Sequence, residues 1–184
     1  MPIETGRLVL REPTANDAEA LFAVVGAEFA WREQAIEPYS FEDVKERIRQ
    51  YFLRRGTEQQ RFLYYFVAAP KADPGQIIGS ASLQLTAPRI ASFGITVAET
   101  HPRRGLGGEI ARRMLEFGFG EAGLHRIHAA VAVENEASSR LLEKIGMRLE
   151  GISRECIFAQ GKWWSESQYA LIEDEFRSEA RLAD

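Results

Sequence analysis

The stretch from Ala91 to Glu121 runs from an alternating strand pattern, through a turn holding Gly105, Gly107 and Gly108, into the longest helical pattern of the chain. Ile110, Met114, Leu115, Phe117 and Gly118 recur at i, i+4, i+5, i+7 and i+8, the spacing of one apolar helix face. Strand and helix are consecutive and each has one side to bury, so the fold class is a mixed α/β or α+β.

The flanking patterns agree. Phe62 to Ala69, Ile77 to Leu85 and Ala91 to Val97 read as strands, with turns at Pro70 to Gly75 and Thr86 to Pro88, and predict an antiparallel meander. Upstream, Arg7 to Glu12 reads as a short strand closed by Pro13, and Asn16 and Asp17 precede a helix over Ala18 to Phe29. Ser40 caps a second helix with the stripe Val44, Ile48, Tyr51 and Phe52, ended by Gly56. Downstream, Ile127, Ala129, Val131 and Val133 alternate as a strand, and Ala137, Leu141, Leu142 and Ile145 mark a helix that stops at Gly146. Met147 to Phe158 and Trp163 to Ile172 form a hairpin around Gln160-Gly161, and residues 173–184 read as a polar helical tail. No repeat or linker interrupts the 184 residues, so one domain over 1–184 is expected.

Composition narrows the function classes. Hydrophobic residues at 45% suffice for a core, and 23 basic against 27 acidic residues give a net charge of -4, which argues against a nucleic-acid surface. The one cysteine, Cys156, excludes an internal disulfide and a thiolate zinc cage and reads as a half-buried hydrophobe. His101, His125 and His128 lack metal-ligand spacing, so no metal is expected. No secretory leader or run of about 18 apolar residues appears, so no membrane partner is expected and a reducing cytoplasm is the expected location.

The glycine turn suits an anion. First-turn N–H groups at a helix start lack intrahelical partners, the helix dipole adds positive potential, and glycine admits close approach. Arg103 and Arg104 add full charges in an otherwise acidic protein. The turn also has a purely conformational reading, because strand-to-helix connections use glycine for backbone reasons. No Gly-x-x-x-x-Gly-Lys-Ser/Thr occurs, and Ile110 stands where the dinucleotide fingerprint needs glycine or alanine.

Two blocks at matched spacing carry a resemblance. The first is Gly94 to Gly108, with Gly105 and Gly107 opening the helix; Pro102 and Arg103 depart from the usual Arg/Gln and Gly. The second is Asn135-Glu136-Ala137-Ser138, continuing through Glu143-Lys144-Ile145-Gly146-Met147 to Glu150-Gly151. With the opening Thr5-Gly6-Arg7-Leu8 and the closing Gly161-Lys162-Trp163-Trp164, where Ser165 replaces a common aspartate, the chain resembles the GNAT acetyltransferase superfamily, in particular its RimJ/RimL-type branch of ribosomal-protein N-terminal alanine acetyltransferases. The resemblance implies a mixed, mostly antiparallel sheet of about seven strands, flanked by about four helices and splayed between its fourth and fifth strands to admit acetyl-CoA.

It also implies roles. Arg103, Arg104, Gly105, Leu106, Gly107 and Gly108 would hold the coenzyme pyrophosphate, and Ile95, Thr96 and Val97 would offer a strand edge to its amide-bearing arm. Asn135 reads as a helix N-cap, and the resemblance adds a coenzyme contact. Ser138 is a first-turn serine, and the resemblance to the RimL-like branch implies it as a candidate acid for the departing thiolate; Leu142 stands where many relatives have tyrosine and cannot donate, which leaves Ser138 or water. Glu33 and Glu37 are left unassigned as bases, and Trp31 lies in the segment that would border the acceptor cleft. The resemblance implies acetyl transfer from acetyl-CoA to a primary amine by direct ternary-complex attack, with a protein or peptide N-terminus as the expected acceptor; the alternatives are a small amine (amino acid, polyamine or aminoglycoside) or a non-catalytic acyl-CoA-binding module. Trp163 and Trp164 would supply an apolar surface for a homodimer.

Overall fold

The computed structural model describes residues 2–57, 60–98 and 105–183. Its strands are β1 (Ile3–Glu4), β2 (Leu8–Arg11), β3 (Leu63–Pro70), β4 (Gly79–Ala87), β5 (Ile90–Val97), β6 (Arg126–Ala132), β7 (Arg148–Ala159) and β8 (Lys162–Ile172). The helices are α1 (Ala18–Val25), α2 (Glu28–Trp31), α3 (Phe41–Arg54), α4 (Leu106–Glu116), α5 (Glu136–Lys144) and α6 (Glu173–Ala183). The strands form one sheet in the order β1-β2-β3-β4-β5-β6-β8-β7, antiparallel throughout except for the parallel pair β5–β6. The two-residue β1 is the strand beyond the seven expected.

Local chemistry explains most boundaries. Ser40 Oγ accepts from Asp43 N at 3.2 Å while Asp43 accepts from Ser40 N at 2.8 Å, a reciprocal cap that starts α3. Gln160 and Gly161, at φ 52° and 73°, make the left-handed pair that matches the twist of the β7–β8 hairpin. The helix expected over Ala18 to Phe29 is divided: it stops at Gly26, whose N–H bonds Phe22 O at 2.9 Å, and the extended Ala27 restarts the chain as α2.

The sheet buries its two faces differently. On one face Phe66, Ala81, Leu83, Phe93, Ile127, Ala129, Tyr169 and Leu171 pack with Ile110, Met114 and Leu115 of α4 and Leu142 of α5. A Cβ on Gly118, just past α4, would fall 2.6 Å from Ile127 Cδ1, so this glycine allows the helix end to lie against β6. On the other face α1 and α3 cover Tyr65 and Val67 of β3. Beyond them that face carries the half-buried Ser82, Ser92, His128, Glu166 and Gln168, with a small apolar cluster of Ala35, Ala132, Ala159 and Trp164 beside Glu166.

Several side chains depart from expectation. Phe52 is exposed while Val44, Ile48 and Tyr51 are buried, because the stripe of α3 turns away from the sheet at its end, and Val133 lies exposed past the end of β6. Cys156 is exposed, in a β7 segment pushed out by the irregularity between Ser153 and Ile157. Trp164 is buried, donating from Nε1 to Ala159 O at 2.9 Å, which leaves Trp163 and Phe158 as the exposed aromatic pair of the hairpin. The tail is helical, with Phe176 stacked on Phe119 at 4.9 Å. No helix of the described residues is long and apolar enough to cross a membrane.

Candidate active site

β5 and β6 pair only from Ile90↔Arg126 to Ser92↔His128 and then part. The splay thus falls between the fifth and sixth of eight strands, the fourth and fifth of the expected seven once β1 is set aside. From Phe93 onward β5 has no strand on that side among the described residues, and the gap is a cleft through the sheet.

The cleft has two joined halves. The outer half, a cavity of about 550 Å³, is lined by Ile95, Thr96, Val97, Gly105, Leu106, Gly107, Asn135 and Ser138, bringing together eight of the residues singled out from the sequence. The inner half, about 150 Å³, shares Gln34, Ile95, Ser138 and Leu141 with it and adds Gly94, Leu142 and Glu166. Gly108 follows in α4 but does not line either half, and Arg103 and Arg104 lie outside the described residues.

Gly105 is the N-cap of α4 at φ 72° and ψ 10°, a left-handed conformation that glycine adopts at little cost. Nothing stands within 4 Å of a Cβ built on it, and a Cβ on Gly107 would meet Val97 Cγ2 at 3.7 Å and Leu141 Cδ2 at 3.8 Å. Among the described residues no side chain therefore crowds the turn, and the first-turn N–H groups of α4 lack intrahelical partners. Glu109, whose charge would oppose an anion there, is occupied by the opening motif: Thr5 Oγ1 at 2.5 Å, Arg7 N at 3.0 Å and Arg7 Nε at 2.7 Å all donate to it. Burial pushes the Glu109 carboxyl up, but these bonds prevail and hold it below the usual glutamate range. Thr5-Gly6-Arg7 thus neutralises and orients the start of α4.

At the other end of the outer half Asn135 caps α5, its side chain accepting from Ser138 N at 2.9 Å. That bond fixes Ser138 in the first turn of α5, where it lines both halves of the cleft.

Glu166 is the residue that sequence reading missed. It pairs with Ala132 across β6–β8, and alternation puts it on the sheet face opposite Tyr169 and Leu171, hence opposite α5. It meets Ser138 in one cavity because the sheet is open between them. Burial raises the Glu166 carboxyl above the ordinary glutamate range, against hydrogen bonds from Cys156 and Gln168. A lone glutamate in a strand of mixed polarity carries no signal; only its partner Ala132, at the gap, marks it. Glu37 is engaged elsewhere, accepting from Gln160 N at 2.7 Å, while Glu33 lines the outer half beside Arg32. Trp31 lines neither half, and it is its carbonyl that is used: Gln160 Nε2 lies 3.0, 2.9 and 2.8 Å from the carbonyls of Trp31, Gln34 and Ile36, pinning the 32–40 loop over the cleft. No cluster of metal-binding side chains occurs among the described residues.

The acetyltransferase (GNAT) domain family matches residues 7–148. The chain belongs to the GNAT acetyltransferase family. GNAT relatives agree over nearly its whole length: an N-acetyltransferase of Bacillus subtilis (strain 168), YoaA, is 30% identical over 174 residues, covering 92% of this chain and 96% of that one. Among solved GNAT structures, RimL, a ribosomal L7/L12 α-N-protein acetyltransferase in complex with coenzyme A, superposes with TM-score 0.82 at 19% identity, covering 95% and 99% of the two chains. Spermidine N-acetyltransferase from Vibrio cholerae, in complex with coenzyme A and spermine, does so with TM-score 0.79 at 24% identity over 92% and 98%. This GNAT chain is an N-acetyltransferase of the same fold as both.

Proposed function

We propose that the protein transfers the acetyl group of acetyl-CoA to the α-amine at the N-terminus of a peptide or protein, by direct attack with both substrates bound. The observation that carries this reading is a pair of adjoining cavities that share Gln34, Ile95, Ser138 and Leu141 and extend from the N-terminus of α4 to Glu166 on the far face of the sheet. The residues fit the coenzyme: the N–H groups of Leu106 and Gly107, with Gly105 clear of side chain, would hold its pyrophosphate, with Arg103, Arg104 and Gly108 adjoining, and Ile95 to Val97 present a free strand edge to its arm. Asn135 would also face the coenzyme arm, and its side chain caps the first turn of α5 through Ser138 N. The coenzyme supplies an activated thioester carbonyl.

As the amine nitrogen bonds to the acetyl carbon and the C–S bond breaks, Glu166 takes the amine proton, directly or through one water, and Ser138 gives its hydroxyl proton to the leaving sulfur and is reprotonated from solvent. An α-amine, with a pKa of about 7.7–8.0, needs far less help than a lysine amine near about 10.4, which matches one partly buried carboxylate as the base. A polycationic acceptor would call for several acids, and Glu166 alone lines the inner half. Acetyl-CoA turnover over a panel of blocked lysine peptides, free N-terminal peptides and polyamines tests the reading; preference for lysine or polyamine refutes it.

A further inference from the structure

A second cavity, of about 390 Å³, lies on the face of the sheet that carries Glu166. Tyr65, Ser82 and Gln84 line it from β3 and β4, and Arg47 and Gln50 from α3. It adjoins the cleft across a single glycine. Ser82 and Gly94 are register partners, a Cβ on Gly94 would stand 3.2 Å from Ser82 Oγ, and Gly94 itself lines the inner half beside Glu166. An acceptor whose amine reaches the gap at Gly94 therefore has a polar route onward over this face, along Ser82 toward Tyr65 and Arg47.

The charge at the end of that route is defined. Lys45 and Arg49, Arg47's neighbours on α3, are each paired with a carboxylate at 2.7 Å. Arg47 is not: its guanidinium donates to Tyr39 Oη at 2.6 Å, lies 4.6 Å from the Tyr39 ring centre, and has no carboxylate partner among the described residues. Among the described residues no acid lines the cavity. From Gly94 through Ser82 to Tyr65 is two strand spacings, about 10 Å, which an extended peptide covers in about three residues. Resting on the α-amine reading above, we infer that Arg47 is a specificity determinant that binds an acidic side chain at the second or third residue of the acceptor peptide. A guanidinium with spare donors recognises a carboxylate at low cost, and the same charge repels a basic residue or a polyamine tail.

The test uses amidated pentapeptides with a free N-terminal alanine and Glu, Gln or Lys at residues 2 and 3. For the native protein kcat/KM is expected to fall in the order Glu, Gln, Lys, by about tenfold or more from first to last. Arg47→Glu should invert that order while leaving the KM for acetyl-CoA unchanged. The same peptides titrated into coenzyme-saturated protein read the order without turnover. Equal use of the three peptides by the native protein, or an order unmoved in Arg47→Glu, overturns the assignment and leaves the α-amine reading standing. Free aspartate outcompeting the Glu peptide also overturns it, since its carboxylate cannot span about 10 Å. Turnover of polyamine or lysine with none of the peptides used or bound refutes both.

Discussion

The two sides of the splayed sheet are built from different materials. On the α4 and α5 side the cleft wall is mostly backbone and small side chains, Gly105, Gly107 and the edge from Ile95 to Val97, set on the larger apolar core. On the other side the cleft is lined by side chains from distant segments, Gln34 and Glu166, with Arg47 and Ser82 in the adjoining cavity. A common nucleotide-bearing cosubstrate can be held by N–H groups that any sequence supplies, provided no Cβ intrudes. Selection of an acceptor needs side-chain chemistry, and that is where relatives of one fold can diverge.

The contrast can be broken first at Gly107. Gly107→Val has room in the fold, since its first added carbon would make only ordinary contacts with Val97 and Leu141, yet it fills the approach to α4. Acetyl-CoA affinity by calorimetry should fall about a thousandfold, roughly 4 kcal/mol, with the melting temperature little changed. Unchanged affinity would return the turn to its purely conformational reading.

Next in size is Glu166→Gln, which should lower kcat about a hundredfold with acetyl-CoA affinity intact. The pH profile carries the sign. Glu166 works ionised, and burial raises its pKa, so the rate of the native protein should fall as pH drops through a value above the ordinary glutamate range. The glutamine variant should lose that limb and keep only the ionisation of the amine itself.

Ser138→Ala should reduce kcat by about tenfold to a hundredfold, less than the loss of the base, because a thiolate with a reference pKa near about 8.5 is already a fair leaving group. Steady-state kinetics paired with direct binding separates an acid from a coenzyme contact, which would show as lost affinity. Smallest is Gln160→Ala, which frees the 32–40 loop from its three carbonyl contacts. The acceptor KM should rise about threefold to tenfold with acetyl-CoA binding unmoved, measured in the same assays.

Much of the chain was legible before any coordinates. The meander from β3 to β5, the Ser40 cap, α4, α5 and the closing hairpin follow from period, cap chemistry and turn residues, all local along the chain. The positions of Gly105, Gly107, Asn135 and Ser138 at the starts of α4 and α5 were legible for the same reason, since each lies within a turn of a helix start. The break of the first helix at Gly26 was not, because one glycine inside an apolar period weakens a helix without fixing whether it ends there. Thr5-Gly6-Arg7 was visible as a motif but not as an anchor, its partner Glu109 lying 102 residues from Arg7.

Sequence alone determined which segments are strands and helices and where an anion could meet a helix start, because those depend on neighbours a few residues apart. Only the tertiary structure decided that β5 and β6 part after Ser92, and that parting brings Ser138 from one face of the sheet and Glu166 from the other into one cavity. It also set Arg47 of α3 over Ser82, one strand from the gap. These meetings depend on strand register and on where pairing stops, quantities fixed by the packing of both faces at once rather than by any window of residues.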